Sequence, residues 1–336
     1  MEFVPFRPVA AAGERMMRPD TLIVMLALAA SIPVFEVQAA TWIVDPDGGG
    51  DATTIQGAVD LASPGDEIVI LAGTYDDHAD LGTGLRFVGQ SGAGLTTVTA
   101  PVDGASLFAG GVDVTLEGLT LSGAAVGYGY CERNRAIEVA GTLTLVDCVV
   151  EDNETALTPV YAWELYAYGT TFRHNSATGQ LSGCGQIDPD PMPDCLKAGY
   201  IYAENCVFEE HFASQGLVDV YVADFVRCTF RNNDFDQYGA AFVTTPDFPW
   251  GLLSLHNNLF HDNEGSLLGF SVINGDASIT TNAWRNTFAR NQGMFGPDLR
   301  AGSASVFHAN VFTGADVGFQ VQDGMATTMT VTCNDS

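Results

Sequence analysis

Along this chain an apolar residue is followed three positions later by Asn, again and again. Val150 precedes Asn153, Phe172 precedes Asn175, Phe230 precedes Asn233, Phe260 precedes Asn263 and Phe288 precedes Asn291, while His211 stands three past Phe208. If Leu121, Val150, Phe172, Phe208, Phe230, Phe260, Phe288 and Phe312 are equivalent, the steps between them are 29, 22, 36, 22, 30, 28 and 24 residues. A floor near 22 with variable excess predicts a coil of fixed circumference that lets out loops of different length.

Reading outward from each anchor gives columns. Five residues earlier stand Leu116, Leu145, Ala167, Ala203, Phe225, Leu255, Ala283 and Phe307; seven earlier stand Leu143, Leu165, Ile201, Ala223 and Leu253. Two apolar columns two apart predict a strand with one face inward. The residues between them, Thr144, Tyr166, Tyr202, Asp224 and Ser254, then Tyr168, Glu204, His256, Trp284 and His308, are expected to face water. Inward positions at minus seven, minus five, minus two and zero include an odd step, so a corner must lie between strand and anchor. Cys148, Thr170, Cys206, Cys228, Asn258, Asn286 and Asn310 hold the minus-two position. Repeated Asn at minus two and plus three suits amide ladders that satisfy bent backbone, a structural task.

Towards the N-terminus, Thr41 to Val44 reads as a strand, followed by the turn-rich Asp45 to Asp51. Thr53-Thr54-Ile55-Gln56 has capping-box form, and Ile55, Ala58, Val59 and Ala62 keep helical spacing up to Pro64. This short helix is expected to cover the open end of the coil. Glu67 to Leu71, Leu85 to Val88 and Val114 to Glu117 read as the first strands, with Ala72 to Tyr75 and Gly89 to Gly94 as turns, and regular coils from about Ala136 to Phe312. The last coil starts at Met329 and stops at Ser336 in mid-phrase, which reads as truncation of a longer protein.

Before the fold, Arg15 and Arg18 precede the apolar run Thr21 to Phe35, and Val37-Gln38-Ala39 fits signal peptidase cleavage. Residues 1–39 are therefore expected to be a signal peptide, with Met16 or Met17 as alternative starts, and residues 40–336 a single domain. The run is too short for a stable membrane span. The chain has 41 acidic and 13 basic residues, and removing the leader leaves the charge near −27, because it carries Arg7, Arg15 and Arg18 against Glu2, Glu14, Asp20 and Glu36. Such a surface argues against nucleic acid, which is bound by clustered Lys and Arg, since past the leader ten basic residues remain and Lys197 is the one lysine among them.

The segment Gly50-Asp51-Ala52-Thr53-Thr54-Ile55-Gln56-Gly57-Ala58-Val59-Asp60, with Pro64 to Ile70 and Ala72-Gly73-Thr74-Tyr75, resembles the entry to right-handed parallel β-helix proteins of the pectin-lyase-like superfamily. Phrases such as Leu145 to Asn153 are similar to the coil repeat of that group. The resemblance implies an all-β, right-handed parallel β-helix with an N-terminal capping helix. It also implies a fold shared by pectate lyases, pectin methylesterases, polygalacturonases, adhesins and phage tailspikes, so it does not select an activity. Gly73-Thr74-Tyr75-Asp76-Asp77 has Asp77 where the methylesterase element has Glu, and the polygalacturonase Asn-Thr-Asp is absent.

Two functions remain. The first is a secreted or cell-surface β-helix, monomeric and without clear catalytic residues, that binds a polysaccharide or surface glycan or builds part of a surface assembly. Its glycan-binding candidates are Trp163, Tyr166, Tyr168 and Tyr202, since flat aromatic faces pack against the C–H face of a pyranose. The second is a calcium-dependent polysaccharide lyase with Arg231 as base, near Asp234 and Asp236. The competing account of Arg231 is a charge ladder at plus one, where Glu151, Arg173, Glu209, Arg231 and His261 follow one another. Calcium has a candidate berth in Asp188, Asp190 and Asp194, and nothing demands an organic cofactor. Among seven cysteines, Cys184 and Cys195 bracket a Pro-rich insertion and are the expected disulfide, whereas Cys206 and Cys228 are expected to be buried free thiols.

Overall fold

A computed structural model of the chain describes residues 39–101, 105–125, 134–177, 195–213, 216–235, 240–244, 250–265, 271–275, 278–291, 297–298, 304–313 and 328–332. The anchor column is continuous: Leu121, Val150, Phe172, Phe208, Phe230, Phe260, Phe288 and Phe312 are direct partners on successive parallel strands. The column also begins earlier than the sequence pattern suggests. Tyr75 pairs with Val98 and Val98 with Leu121, so Gly73–Asp76, expected as a turn, is a strand. Tyr75 fills its rung from inside, 4% exposed, with its hydroxyl donating to the Leu71 carbonyl at 3.0 Å. A hydroxyl that finds a backbone acceptor can take a core position, which an apolar pattern search does not recognise.

Each winding has three faces. Face 1 is represented by Phe108–Gly110 and the start of Ile137–Val146, face 2 by Val114–Glu117 and the end of the same long strand, and face 3 by Thr120–Ser122 and Val149–Glu151. Faces 1 and 2 merge in one 17-stranded sheet, and face 3 is a ten-stranded sheet of its own. All pairings are parallel, the inward side chains form one core, and Phe172, Phe208, Phe230, Phe260 and Phe288 stack through it at centroid spacings of 4.6 to 4.9 Å.

The corners either side of face 3 are made by backbone in the left-handed region. Every non-glycine residue with positive φ among the described residues falls at minus three (Asp147, Asn205, Arg227, Asn257, Arg285, Ala309) or plus two (Asp152, His174, Glu210, Asn232, Asp262, Arg290), with φ between 49° and 57°. This turn explains the odd step in the inward pattern, and it points the next N–H into the core, away from the ladder of the sheet. The Asn that follows supplies the acceptor. Asn233 N–H donates to Asn263 Oδ1 at 3.1 Å, while Asn263 Nδ2 donates to the Phe230 carbonyl at 3.0 Å and to Asn291 Oδ1 at 2.8 Å. A second ladder at minus two runs Asn258, Asn286, Asn310, each Nδ2 donating to the next Oδ1 at 3.0 Å.

At the first winding a five-residue helix spans Ile55–Val59, with Ile55, Ala58 and Val59 buried. Its N-cap is Thr54, one later than the capping-box reading, and Thr54 Oγ1 accepts from Gly57 N–H at 3.0 Å. Gln56 is drawn off to Asp60 and to the Asp80 backbone, and the Asp77 carboxylate takes the Ile55 N–H instead. Along the outer edge of Thr41–Val44, the Ile43 carbonyl accepts from the backbone of Asp51 and Ala52.

Cys148, Cys206 and Cys228 are free and buried, as expected for the last two. Burial pushes the Cys148 thiol up to about 11; Cys228 is pushed up by its hydrogen bond with Cys206 and by burial. Native protein treated with iodoacetamide and mapped by mass spectrometry should show these three cysteines unmodified, and fully modified after denaturation. Labelling of Cys148 in the native state would show that the winding opens. Cys184 lies outside the described residues; Cys195 is buried, its Sγ 3.1 Å from the Asn175 carbonyl.

Candidate glycan-binding strip on face 2

The water side of face 2 carries the aromatic residues singled out in the sequence. Tyr166 pairs in register with Tyr202, Tyr168 with Glu204, and Glu164 with Tyr200, a tyrosine absent from the sequence-based candidates. Its signal was there: Tyr200 is two residues before Tyr202 and so shares its outward parity.

The rings do not stack along the register. Tyr166 contacts Tyr200, with centroids 5.6 Å apart and planes at 51°, and Tyr168 contacts Tyr202 at 5.8 Å and 46°. Hydrogen bonds account for this diagonal pairing. The Tyr166 hydroxyl donates to Glu164 at 3.4 Å, which tips the ring toward the N-terminal end of its strand and hence toward Tyr200. The Tyr202 hydroxyl donates to Glu204 at 3.0 Å, which tips that ring the other way, toward Tyr168. Two directly opposed tyrosines therefore lean apart and leave two ring pairs side by side. Trp163 sits at the bend between faces 1 and 2, 54% exposed, with its ring beside Gly199, where an added Cβ would lie 3.7 Å from ring carbons and 3.0 Å from the Trp163 carbonyl.

Beyond Tyr202 the column continues to Asp224 and Ser254. One carboxylate oxygen of Asp224 is buried and has no hydrogen-bond partner. Burial raises the Asp224 carboxyl above its ordinary range, partly offset by His256. The hydroxyls of Tyr166, Tyr200 and Tyr202 are raised too, first by burial and then by neighbouring carboxylates, chiefly Glu164 for Tyr166 and Asp224 for the other two. Farther along, His256 meets Trp284 edge to face at 5.1 Å, and Trp284 is 45% exposed. At the opposite end Arg86, Thr115, Thr142 and Thr144 line a cavity of about 320 Å³. There Arg86 is held by Glu67 and Glu117.

Arg231 lies on face 3. Its Nε donates to Glu209 Oε2 at 2.6 Å, and its register partners are Glu209 and His261. Arg173 makes the same bond to Glu151, and Arg290 to Asp262, whose carboxyl is drawn down to about 2 by Arg290 and then His261. Glu151–Arg173 and Glu209–Arg231 are thus ion pairs in the plus-one column, and Asp262–Arg290 is one in the plus-two column. Asp188, Asp190, Asp194 and Asp236 lie outside the described residues. Among the described residues, no three His, Cys, Asp or Glu side chains are grouped to hold a metal ion, and no helix is long and apolar enough to cross a membrane.

Stacked parallel windings, three faces and inward amide ladders define a parallel β-helix. No family model matches the sequence, and no curated protein does. Among solved structures it is similar to a rhamnogalacturonan lyase, 11% identical over 82% of this chain and 74% of the other, with a TM-score of 0.48. A pectin methylesterase from carrot is 13% identical over 88% of each chain, with a TM-score of 0.39. The Yersinia enterocolitica family 28 exopolygalacturonase is 11% identical over 88% of this chain and 78% of its own, with a TM-score of 0.32.

Proposed function

We propose that this is an exported glycan-binding β-helix, with residues 1–39 removed as a signal peptide and the tyrosine strip of face 2 as its binding surface. The observation that carries this reading is the double ring contact, Tyr166 with Tyr200 and Tyr168 with Tyr202, fixed by carboxylates that also stand ready to accept sugar hydroxyls. Rings on a solenoid face are held by strand pairing on both sides, so little side-chain freedom is lost when a sugar docks. Placement in a surface assembly is compatible with the same strip.

The alternative is a polysaccharide lyase with Arg231 as base and calcium at Asp188, Asp190 and Asp194. Against it stands the engagement of the Arg231 guanidinium by Glu209, on a different face from the aromatic strip. Affinity electrophoresis through gels containing neutral, acidic and amino polysaccharides tests the proposal. Replacing Tyr166 and Tyr202 together by Ala should weaken retention about tenfold, from two aromatic contacts of about 0.5 to 1.5 kcal/mol each. Unchanged retention removes the strip from candidacy. Release of unsaturated, ultraviolet-absorbing ends from a uronate polymer, abolished in Arg231→Ala, would install the lyase in its place.

A further inference from the structure

The charge around the tyrosines specifies what kind of sugar the strip takes. Glu164 stands opposite Tyr200, and Asp224 stands opposite Tyr202, so these two carboxylates bracket the ring pairs. Arg227 does not neutralise them, since its guanidinium is bonded to Glu204 and Asn205. Among the described residues neither Glu164 nor Asp224 makes an ion pair, and Asp224 keeps a buried oxygen without a donor.

From this we infer that the strip binds a cationic glycan, one bearing free amino groups, in preference to uronate polymers; the inference rests on the glycan-binding reading above. A sugar ammonium brings three donors and a positive charge. It would make a charge-assisted bond to Glu164 or to the solvent-facing part of the half-buried Asp224 carboxylate, and lie against tyrosine faces whose quadrupole attracts cations. A uronate carboxylate brings neither a donor nor the right sign, and it would be pushed off by Glu164 and Asp224. Neutral sugars can donate hydroxyls to these oxygens but gain no charge attraction. Windings rise about 4.8 Å apart. That step is close to the advance of one pyranose in an extended chain, so a chain crossing the strip obliquely would meet Glu164 on one winding and Asp224 two windings on and two residues farther along the register. After burial, Asp224 and Glu164 are the groups that most raise the Tyr200 hydroxyl, in keeping with negative charge on both sides of the ring.

The test is calorimetric titration of the full chain with three hexamers: β-1,4-linked glucosamine, its fully N-acetylated form and galacturonic acid. The glucosamine hexamer should bind about tenfold tighter than the N-acetylated one at low salt, as expected for two charge-assisted contacts, and this margin should shrink as salt is added. Asp224→Asn and Glu164→Gln should each remove about threefold of that margin or more, read as the ratio of the glucosamine to the N-acetylated affinity within each variant, so that any general loss of sugar binding cancels. Two separate variants guard against misfolding of either, and each is checked by an unchanged thermal midpoint. Galacturonate binding as tightly as glucosamine, or equal binding of all three, overturns the cationic preference and leaves the glycan-binding surface standing. If no hexamer binds, the glycan-binding reading falls together with this one.

Discussion

Phe230→Ala should lower the stability of the solenoid by about 3 to 5 kcal/mol, the largest single-residue effect expected in this chain. Phe230 lies between Phe208 and Phe260, with centroids 4.7 and 4.6 Å away and planes within 5° of parallel, and it meets Phe225 edge-on at 5.5 Å. Removing the ring leaves a cavity that neighbouring windings cannot close, because both are fixed by their own strand pairing. Phe172→Ala supplies the comparison. Phe172 has a stacked ring on one side, Phe208 at 4.9 Å, and Val150 as register partner on the other, so its loss should cost about 1 kcal/mol less. Urea unfolding followed by far-ultraviolet circular dichroism reads both. In a solenoid the coupling between adjacent windings carries cooperativity, so Phe230→Ala should also broaden the transition. An unchanged midpoint would show that the phenylalanine stack does not hold the windings together.

His211 should make the protein lose about 3 kcal/mol of stability as pH falls from 6.5 to about 4. His211 takes the place of Asn in the plus-three ladder. Its backbone N–H donates to Asn233 Oδ1 at 3.2 Å, its Nδ1 accepts the Asn175 N–H at 3.2 Å, and its Nε2 donates to the Phe172 carbonyl at 3.0 Å. These are the acceptor and donor jobs of an amide, and they require the neutral ring. Full burial, with hydrogen bonds to Asn175 and Phe172 opposing, lowers its pKa to about 4. Between that value and 6.5 the unfolded chain binds the proton and the folded chain does not, so stability rises with pH through the window and is fully present above it. His211→Asn completes the ladder with the residue used elsewhere. It should match the parent within about 1 kcal/mol at neutral pH and lack the share of the slope between pH 4 and 6.5 that His211 supplies. Asp224, whose folded carboxyl is raised, contributes the opposite sign and is unchanged in the variant, so the difference between the two profiles isolates His211. A variant with the parent's acid profile would refute the assignment.

Legibility in the sequence differs from residue to residue. The anchor column from Leu121 to Phe312 is legible because each rung repeats one chemical type at one place in the winding. Tyr75 and Val98 are not, since a tyrosine and a valine among threonines break the phrase while filling the same rung. The outward direction of Tyr166, Tyr168 and Tyr202 follows from parity, but their diagonal contacts do not. Those depend on Glu164 and Glu204 pulling from opposite ends, which involves residues in different windings. Arg231 illustrates the converse. Its charge and its acidic neighbours in sequence suggest chemistry, whereas the residue that engages it is Glu209, one winding earlier.

Repetition along the chain thus determined the architecture: a period with a floor, inward columns two apart and Asn recurring at the corners are local demands of a coiled backbone. Only the tertiary structure decided which outward residues meet. Neighbours on the surface are separated by a whole winding of variable length, and their contact depends on the lean of each side chain as well as on register. The tyrosine pairs, the uncompensated Asp224 and the engaged Arg231 all belong to that second kind of fact.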